Sequence, residues 1–234
     1  MANTNQLIQP AGPNLVIDLV ADFICPWSFI GVRRLGVALR NFSSQTPPVF
    51  RWHGLRMHAG DAAPPQDWAS HLATRLPPGV SAGMAEQGLR EAGREFGIGF
   101  RFDSIRNVAD TGEAHRLVHL AAAEGLQGAL ADRLFRGYFE LGEDLTEAGS
   151  LVQIGRDAGL GEESLRRFTD SEEGLDSVRA DEARLRSLGV TATPNLLLNH
   201  HVLVPGSADV PTYVAALDRA LFPQLTDQSQ QRLH

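Results

Sequence analysis

The chain has 234 residues, 43% hydrophobic and 21% charged, with a net charge of −7. Such a composition is ordinary for a soluble globular protein, and the length suits one large domain or one domain carrying an insertion. The acidic balance argues against nucleic acid or an anionic membrane as a main partner, and a single cysteine excludes an internal disulfide framework.

Residues 1–13 read as a loose polar tail, and no Lys or Arg occurs before the first apolar run. That run is interrupted by Asp18 and Asp22, so neither a secretory signal nor a membrane span is expected, and the cytoplasm is the expected location. A buried strand is predicted over about 14–22 and a helix over about 26–40. Pro26 suits the first helical position, where a missing N–H costs nothing, and Cys25 then falls at the cap. A sulfur there faces free backbone N–H groups and the positive end of the helix dipole, so its pKa is expected below the ordinary thiol value. The ordinary alternative is a small buried residue at a strand end.

Pro47-Pro48 breaks the chain, and Val49–His53 resumes as a second strand. The segment from Gly60 to Gly83 reads as a connector with one short helix around Gln66–Leu76. Beyond it the period turns helical: Ala114, Leu117, Val118 and Ala121 share one face, and Leu130, Leu134, Tyr138 and Leu141 another. Leu175, Val178, Leu185 and Leu188 mark a third helix. Its Glu172, Glu173, Asp181, Glu182 and Arg186 read most simply as a solvated face, and Gly189 is placed to stop it. Leu196–Leu198 and Val202–Val204, joined by Asn199-His200-His201, read as a hairpin before a last helix at about 210–221. Early and late strands must share one sheet, since helical blocks do not bury strands by themselves. The expected fold is α/β, interrupted by helices.

Three features then come together: a strand leading into Cys25-Pro26-Trp27-Ser28, the distant Val190-Thr191-Ala192-Thr193-Pro194, and a hairpin directly after it. This combination resembles the thioredoxin fold, and with the helical insertion it resembles the DsbA family. Ile24–Leu35, Phe100-Arg101-Phe102, Ala114–Leu117, Val178–Ala183 and Gly189-Val190 look like its FrnE-like branch. The resemblance implies a split thioredoxin-like domain over 14–62 and 187–222, with an all-helical insertion over 63–186. It also implies a cis Pro194 facing Cys25, with the Thr193 backbone pairing with an extended thiol ligand. Outside such a site, Thr193-Pro194 reads as a strand-entry turn.

The family usually has a second cysteine where this chain has Ser28, read as native or as a replacement for that cysteine. A lone thiol cannot expel its substrate by closing on a partner, so an outside thiol must resolve it, which makes glutathione the expected co-substrate. Ser28 can still donate a hydrogen bond to the thiolate. The related 2-hydroxychromene-2-carboxylate isomerases and kappa-class glutathione transferases use serine at the first position to hold glutathione; here Cys25 is retained. Gly206 and Ser207 match a Gly-Ser-Asp that grips the γ-glutamyl group in those relatives, with Asp209 displaced by one residue; a plain turn with Ser207 or Asp209 as helix cap fits equally. Asp110-Thr111 stands where the wider family has Asn-Thr near the pocket. Trp27 is expected to cover the thiol. His53 is expected as a packing histidine at the pocket's border. His115 and His119 have a chelating spacing but no third ligand, and no metal is expected.

These features lead to a cytoplasmic thiol–disulfide oxidoreductase with Cys25 and Ser28 as the catalytic pair. Trp27, Thr193, Pro194, Gly206 and Ser207 would contact glutathione. The substrate would be a small-molecule or protein disulfide, with a homodimer left open. The rivals are a glutathione-dependent isomerase or transferase acting on an aromatic or polyketide-like molecule, and a non-catalytic thioredoxin-like binding module.

Overall fold

A computed structural model describes residues 15–41, 47–58 and 67–222. The tail over 1–13, the start of the connector at 60–66 and the polar stretch beyond 222 lie outside the described residues.

The order runs β1 (Val16–Ala21), α1 (Pro26–Arg40), β2 (Val49–Gly54), α2 (Trp68–Ala73), α3 (Ala82–Arg94), α4 (Gly112–Leu120), α5 (Gln127–Arg136), α6 (Ala148–Asp157), α7 (Glu162–Asp170), α8 (Leu175–Ser187), β3 (Asn195–Leu198), β4 (Val202–Pro205) and α9 (Val210–Leu221). The four strands form one sheet in the order β2-β1-β3-β4. β2 runs parallel to β1, while β3 is antiparallel to both β1 and β4. The fold is α/β, and the α2–α8 helices fall between β2 and β3 in the chain.

Two apolar clusters meet at α1. Phe23, Phe29 and Ile30 belong to the cluster of the helical block, where the Phe29 and Phe135 rings stack at 5.1 Å. Leu35 and Ala38, farther along the same helix, join β1, β3 and α9 in the other. Each buried ring contributes about 1.5–3 kcal/mol, so the start of α1 is held by the helical block and its later turns by the sheet and α9. In the hairpin, Asn199 and His200 adopt φ of +47° and +61°, a left-handed turn that Asn tolerates. Asn199 is also tied to β1, its Oδ1 accepting from the Val16 N–H at 2.8 Å.

Two expectations are corrected. Leu130, Leu134 and Tyr138 are buried, but Leu141 is 54% exposed. A π-helical turn over Gly137–Leu141 inserts residues into the helical phase, and Phe139 takes the core position. The charged side of α8 is not simply solvated. Glu182 is buried, its carboxylate bridging Arg56 and Arg186, and Asp181 lies 2.6 Å from His53 Nδ1. α8 therefore packs on β2 and the loop after it through these charges as well as through Leu185, which is buried with Val20 and Leu55, while Leu188, assigned to its apolar face, is exposed.

Candidate active site

The sheet topology gathers the site. β1 and β2 are parallel, so both end at the same edge, where Ala21 pairs with Gly54. β3 is antiparallel to β1 and begins at that edge, with Asn195 opposite Val20. Cys25 after β1, Leu55–Met57 after β2 and Thr191–Thr193 before β3 thus converge on one groove of about 290 Å³. Gly54 has no room for a side chain, because a Cβ would lie 2.5 Å from the His115 ring.

Cys25 caps α1 with Pro26 following, and the Ser28 and Phe29 N–H groups donate to its carbonyl. Its side chain is buried, and Sγ approaches the Thr193 carbonyl oxygen at 3.5 Å as donor. The Thr193–Pro194 bond is cis, as the resemblance implies. Two hydroxyls near the sulfur, Ser28 Oγ and Thr193 Oγ1, are buried without a hydrogen-bond partner of good geometry among the described residues. Such orphaned polar atoms are uncommon in native proteins. Trp27 is 45% exposed at the groove wall.

The lowered thiol pKa expected from the cap position is not found. Burial pushes the Cys25 thiol above its ordinary value, and the Asp22 carboxylate adds to this. The Ser28 and Thr193 hydroxyls and the Ser28 N–H pull the other way but do not prevail. The sulfur is therefore a protonated thiol donating to Thr193, and desolvation outweighs the helix end.

Behind it lies a second polar group. Asp22 is fully buried and accepts hydrogen bonds from the Met57 N–H at 2.6 Å and the Thr111 hydroxyl at 2.7 Å. Trp52 Nε1 donates to His115 Nδ1 at 3.2 Å. That leaves the imidazole proton on Nε2, which faces Asp22 Oδ1 at 3.6 Å. Burial alone would raise the Asp22 carboxyl, yet His115, Thr111 and Met57 together hold it below its ordinary value. Thr111 thus serves Asp22, and Asp110 pairs with Arg56 at 3.3 Å.

The structure brings Cys25, Trp27, Ser28, Thr193 and Pro194 together but places Gly206 and Ser207 to one side. The Gly206 N–H donates to the Pro194 carbonyl at 2.8 Å, and Arg34 donates to the Ser207 carbonyl at 3.2 Å. Neither residue lines the groove. Asp209 caps α9 by accepting from the Thr212 N–H. His53 lies outside the groove between Asp18 and Asp181, and His119 is exposed while His115 is buried. Sequence reasoning missed Leu55, Arg56, Met57, His71, Arg75 and Arg186, all of which line the groove. The first three had a signal, since they follow a strand parallel to β1 and ligands gather beyond the carboxyl ends of such strands.

Among curated proteins, nothing matches the sequence. Among solved structures, the chain resembles a probable DsbA oxidoreductase from Streptomyces coelicolor, with 27% identity over 88% of this chain and 90% of that one and a TM-score of 0.74. The cytosolic disulfide reductase DsbM from Pseudomonas aeruginosa, solved with GSH, is similar at 22% identity, 93% and 99% coverage and a TM-score of 0.60. A 2-hydroxychromene-2-carboxylate isomerase shares the fold at 14% identity, with 93% and 95% coverage and a TM-score of 0.59. The family model of the DsbA-like thioredoxin domain matches residues 16–218. With that match over most of its length, and with a lone thiol set against a cis-proline loop, the chain belongs to the DsbA-like thioredoxin domain family, a group of disulfide oxidoreductases and isomerases.

Proposed function

We propose that this protein is a cytoplasmic thiol–disulfide oxidoreductase that works through one sulfur and uses glutathione as its small-thiol partner. The observation that carries the reading is the placement of the chain's only cysteine, 3.5 Å from the Thr193 carbonyl and flanked by two hydroxyls that, among the described residues, have no partner of good geometry. An extended ligand laid along Thr193 would offer a backbone N–H to that same carbonyl. The ligand then competes with the Cys25 thiol for the acceptor, and the freed sulfur can lose its proton to solvent. Ser28 and the first N–H groups of α1 stabilise the resulting thiolate.

The thiolate attacks one sulfur of the incoming disulfide. A mixed disulfide forms with Cys25, the original S–S bond breaks, and the departing sulfur takes up a proton. Ser28 offers no second thiol, so an outside thiol attacks the Cys25 sulfur of the mixed disulfide or its partner sulfur. Attack on the partner sulfur restores Cys25 and forms a new disulfide between the outside thiol and the substrate. A reducing compartment supplies that thiol, and the fold shared with a disulfide reductase solved with GSH favours glutathione in the role. The test is intact-protein mass spectrometry after exposure to glutathione disulfide. One glutathione should add at Cys25 and leave on treatment with reduced glutathione, and Cys25→Ser should gain none. An accessible, unfolded-state-reactive Cys25 that gains no adduct while folded would overturn the reading.

The raised thiol pKa of Cys25 favours a second reading. A protonated Cys25 and the Ser28 hydroxyl could both donate to the thiolate of bound glutathione, as an isomerase or transferase would require. In that case Cys25→Ser keeps part of the activity, because glutathione supplies the reacting sulfur.

A further inference from the structure

We infer that the Cys25 groove selects ligands carrying a carboxylate and that Arg75 is the side chain that reads it. This rests on the reading of Cys25 as the exchange centre but is tested separately from it. The chain is acidic overall, at −7, yet among the described residues the groove is lined by Arg56, Arg75 and Arg186 and by no carboxylate. Two of these cations are already paired. Arg56 binds Glu182 at 2.9 Å and Asp110 at 3.3 Å. Arg186 binds the other side of Glu182 at 2.9 Å and donates to the Arg56 carbonyl at 2.6 Å.

Arg75 differs. One Nη2–H donates to the Met57 carbonyl at 2.7 Å, which tethers the guanidinium beside the groove. Among the described residues it has no ion pair, so its charge is the unneutralised one at this wall. The neighbouring His71 is buried and stays neutral, its pKa lowered to about 4 by burial, by His58 and by Arg75. His71 therefore adds no second positive charge beside Arg75. A planar guanidinium with donors to spare matches a carboxylate in bidentate fashion, and Leu72 and Leu76 give the ligand's backbone an apolar wall. At about 290 Å³ the groove is at the small end of ligand sites, a fit for a short peptide thiol ending in a carboxylate. Glutathione meets that description, and a neutral or amidated thiol does not.

The experiment compares glutathione disulfide with its carboxyl-esterified form, which keeps the backbone and the disulfide and removes the anionic ends. Formation of the Cys25 adduct is followed by mass at low ionic strength. Wild type should prefer the acid form, and Arg75→Gln should reduce the acid-to-ester rate ratio about tenfold, the scale of one charge-assisted hydrogen bond, with Arg75→Lys recovering part of it. A ratio unchanged in Arg75→Gln would overturn the inference. Calorimetric binding of S-methylglutathione, which cannot exchange, reads the same contact without chemistry: Arg75→Gln should weaken it about tenfold, and equal binding by both proteins, or none by wild type, would again overturn it. If neither disulfide modifies Cys25 while S-methylglutathione binding still depends on Arg75, the exchange reading fails and charge selection stands.

Discussion

Asp22 and Cys25 leave the same strand end, both buried, and reach opposite charge states. Asp22 accepts from the Met57 N–H and the Thr111 hydroxyl with the His115 Nε2–H close by, and these partners outweigh the cost of burial, so it is ionised. Cys25 has two hydroxyls near it that form no good hydrogen bond, one carbonyl to donate to, and a carboxylate that opposes a second negative charge. Its burial is uncompensated and it remains a thiol. Charge at this edge is decided by the count of well-placed donors. The Asp22 cluster is closed by its own donors, and among the described residues Cys25 has none of comparable geometry.

The hardest way to break the contrast is to take the charge from Asp22. Asp22→Asn retains the shape but leaves one of the Met57, Thr111 and His115 donors facing an amide NH2. Denaturant unfolding should show a loss of about 3 kcal/mol, the scale of hydrogen bonds to a buried charge. The Cys25 pKa, read from alkylation rate against pH, should fall as the opposing charge goes. A variant as stable as wild type would mean that the cluster does not hold this edge together.

A gentler test extends the comparison to a third semi-buried group. Both nitrogens of His53 face carboxylates, Asp18 at 2.9 Å and Asp181 at 2.6 Å, which requires both to carry protons. His200 also faces Asp18, and Arg184 pairs with Asp181. Burial would lower the His53 pKa, but the two carboxylates prevail and raise it above 6.5. Its contribution to stability is therefore complete below the unfolded value near 6.5 and is lost as pH rises through the higher folded value. Unfolding free energy measured across that window should decline in wild type and be flatter in His53→Gln. Parallel profiles would show that the imidazolium does not tie α8 to the sheet.

The start of α1 is legible in the sequence because Pro26 at a first turn has a local cause that no tertiary contact needs to supply. The strands, the hairpin and the cis Pro194 are legible through alternation, turn residues and the family resemblance. What the sequence hides is pairing between distant elements. Glu182 and Asp181 look like solvent-facing charges until the loop after β2 brings Arg56, and β2 itself His53, against them. Arg75 and Arg186 are separated by 111 positions in the chain and meet only at the groove. The Cys25 thiol pKa is misjudged for the same reason. The cap position is a local property, while the burial that overrides it comes from the converging loops.

The central claim is that one sulfur does the exchange and an outside thiol must finish it. Ser28 lies within the first turn after Cys25, its N–H donating to the Cys25 carbonyl at 3.0 Å, so a thiol there is near enough to close on the first sulfur. The most direct measurement is single-turnover release of a reduced model protein from its disulfide, by wild type and by Ser28→Cys, with and without glutathione. The account predicts that Ser28→Cys releases product without any added thiol, while wild type holds it as a Cys25 mixed disulfide until glutathione is supplied. Release by wild type at the same rate with no small thiol present would contradict it.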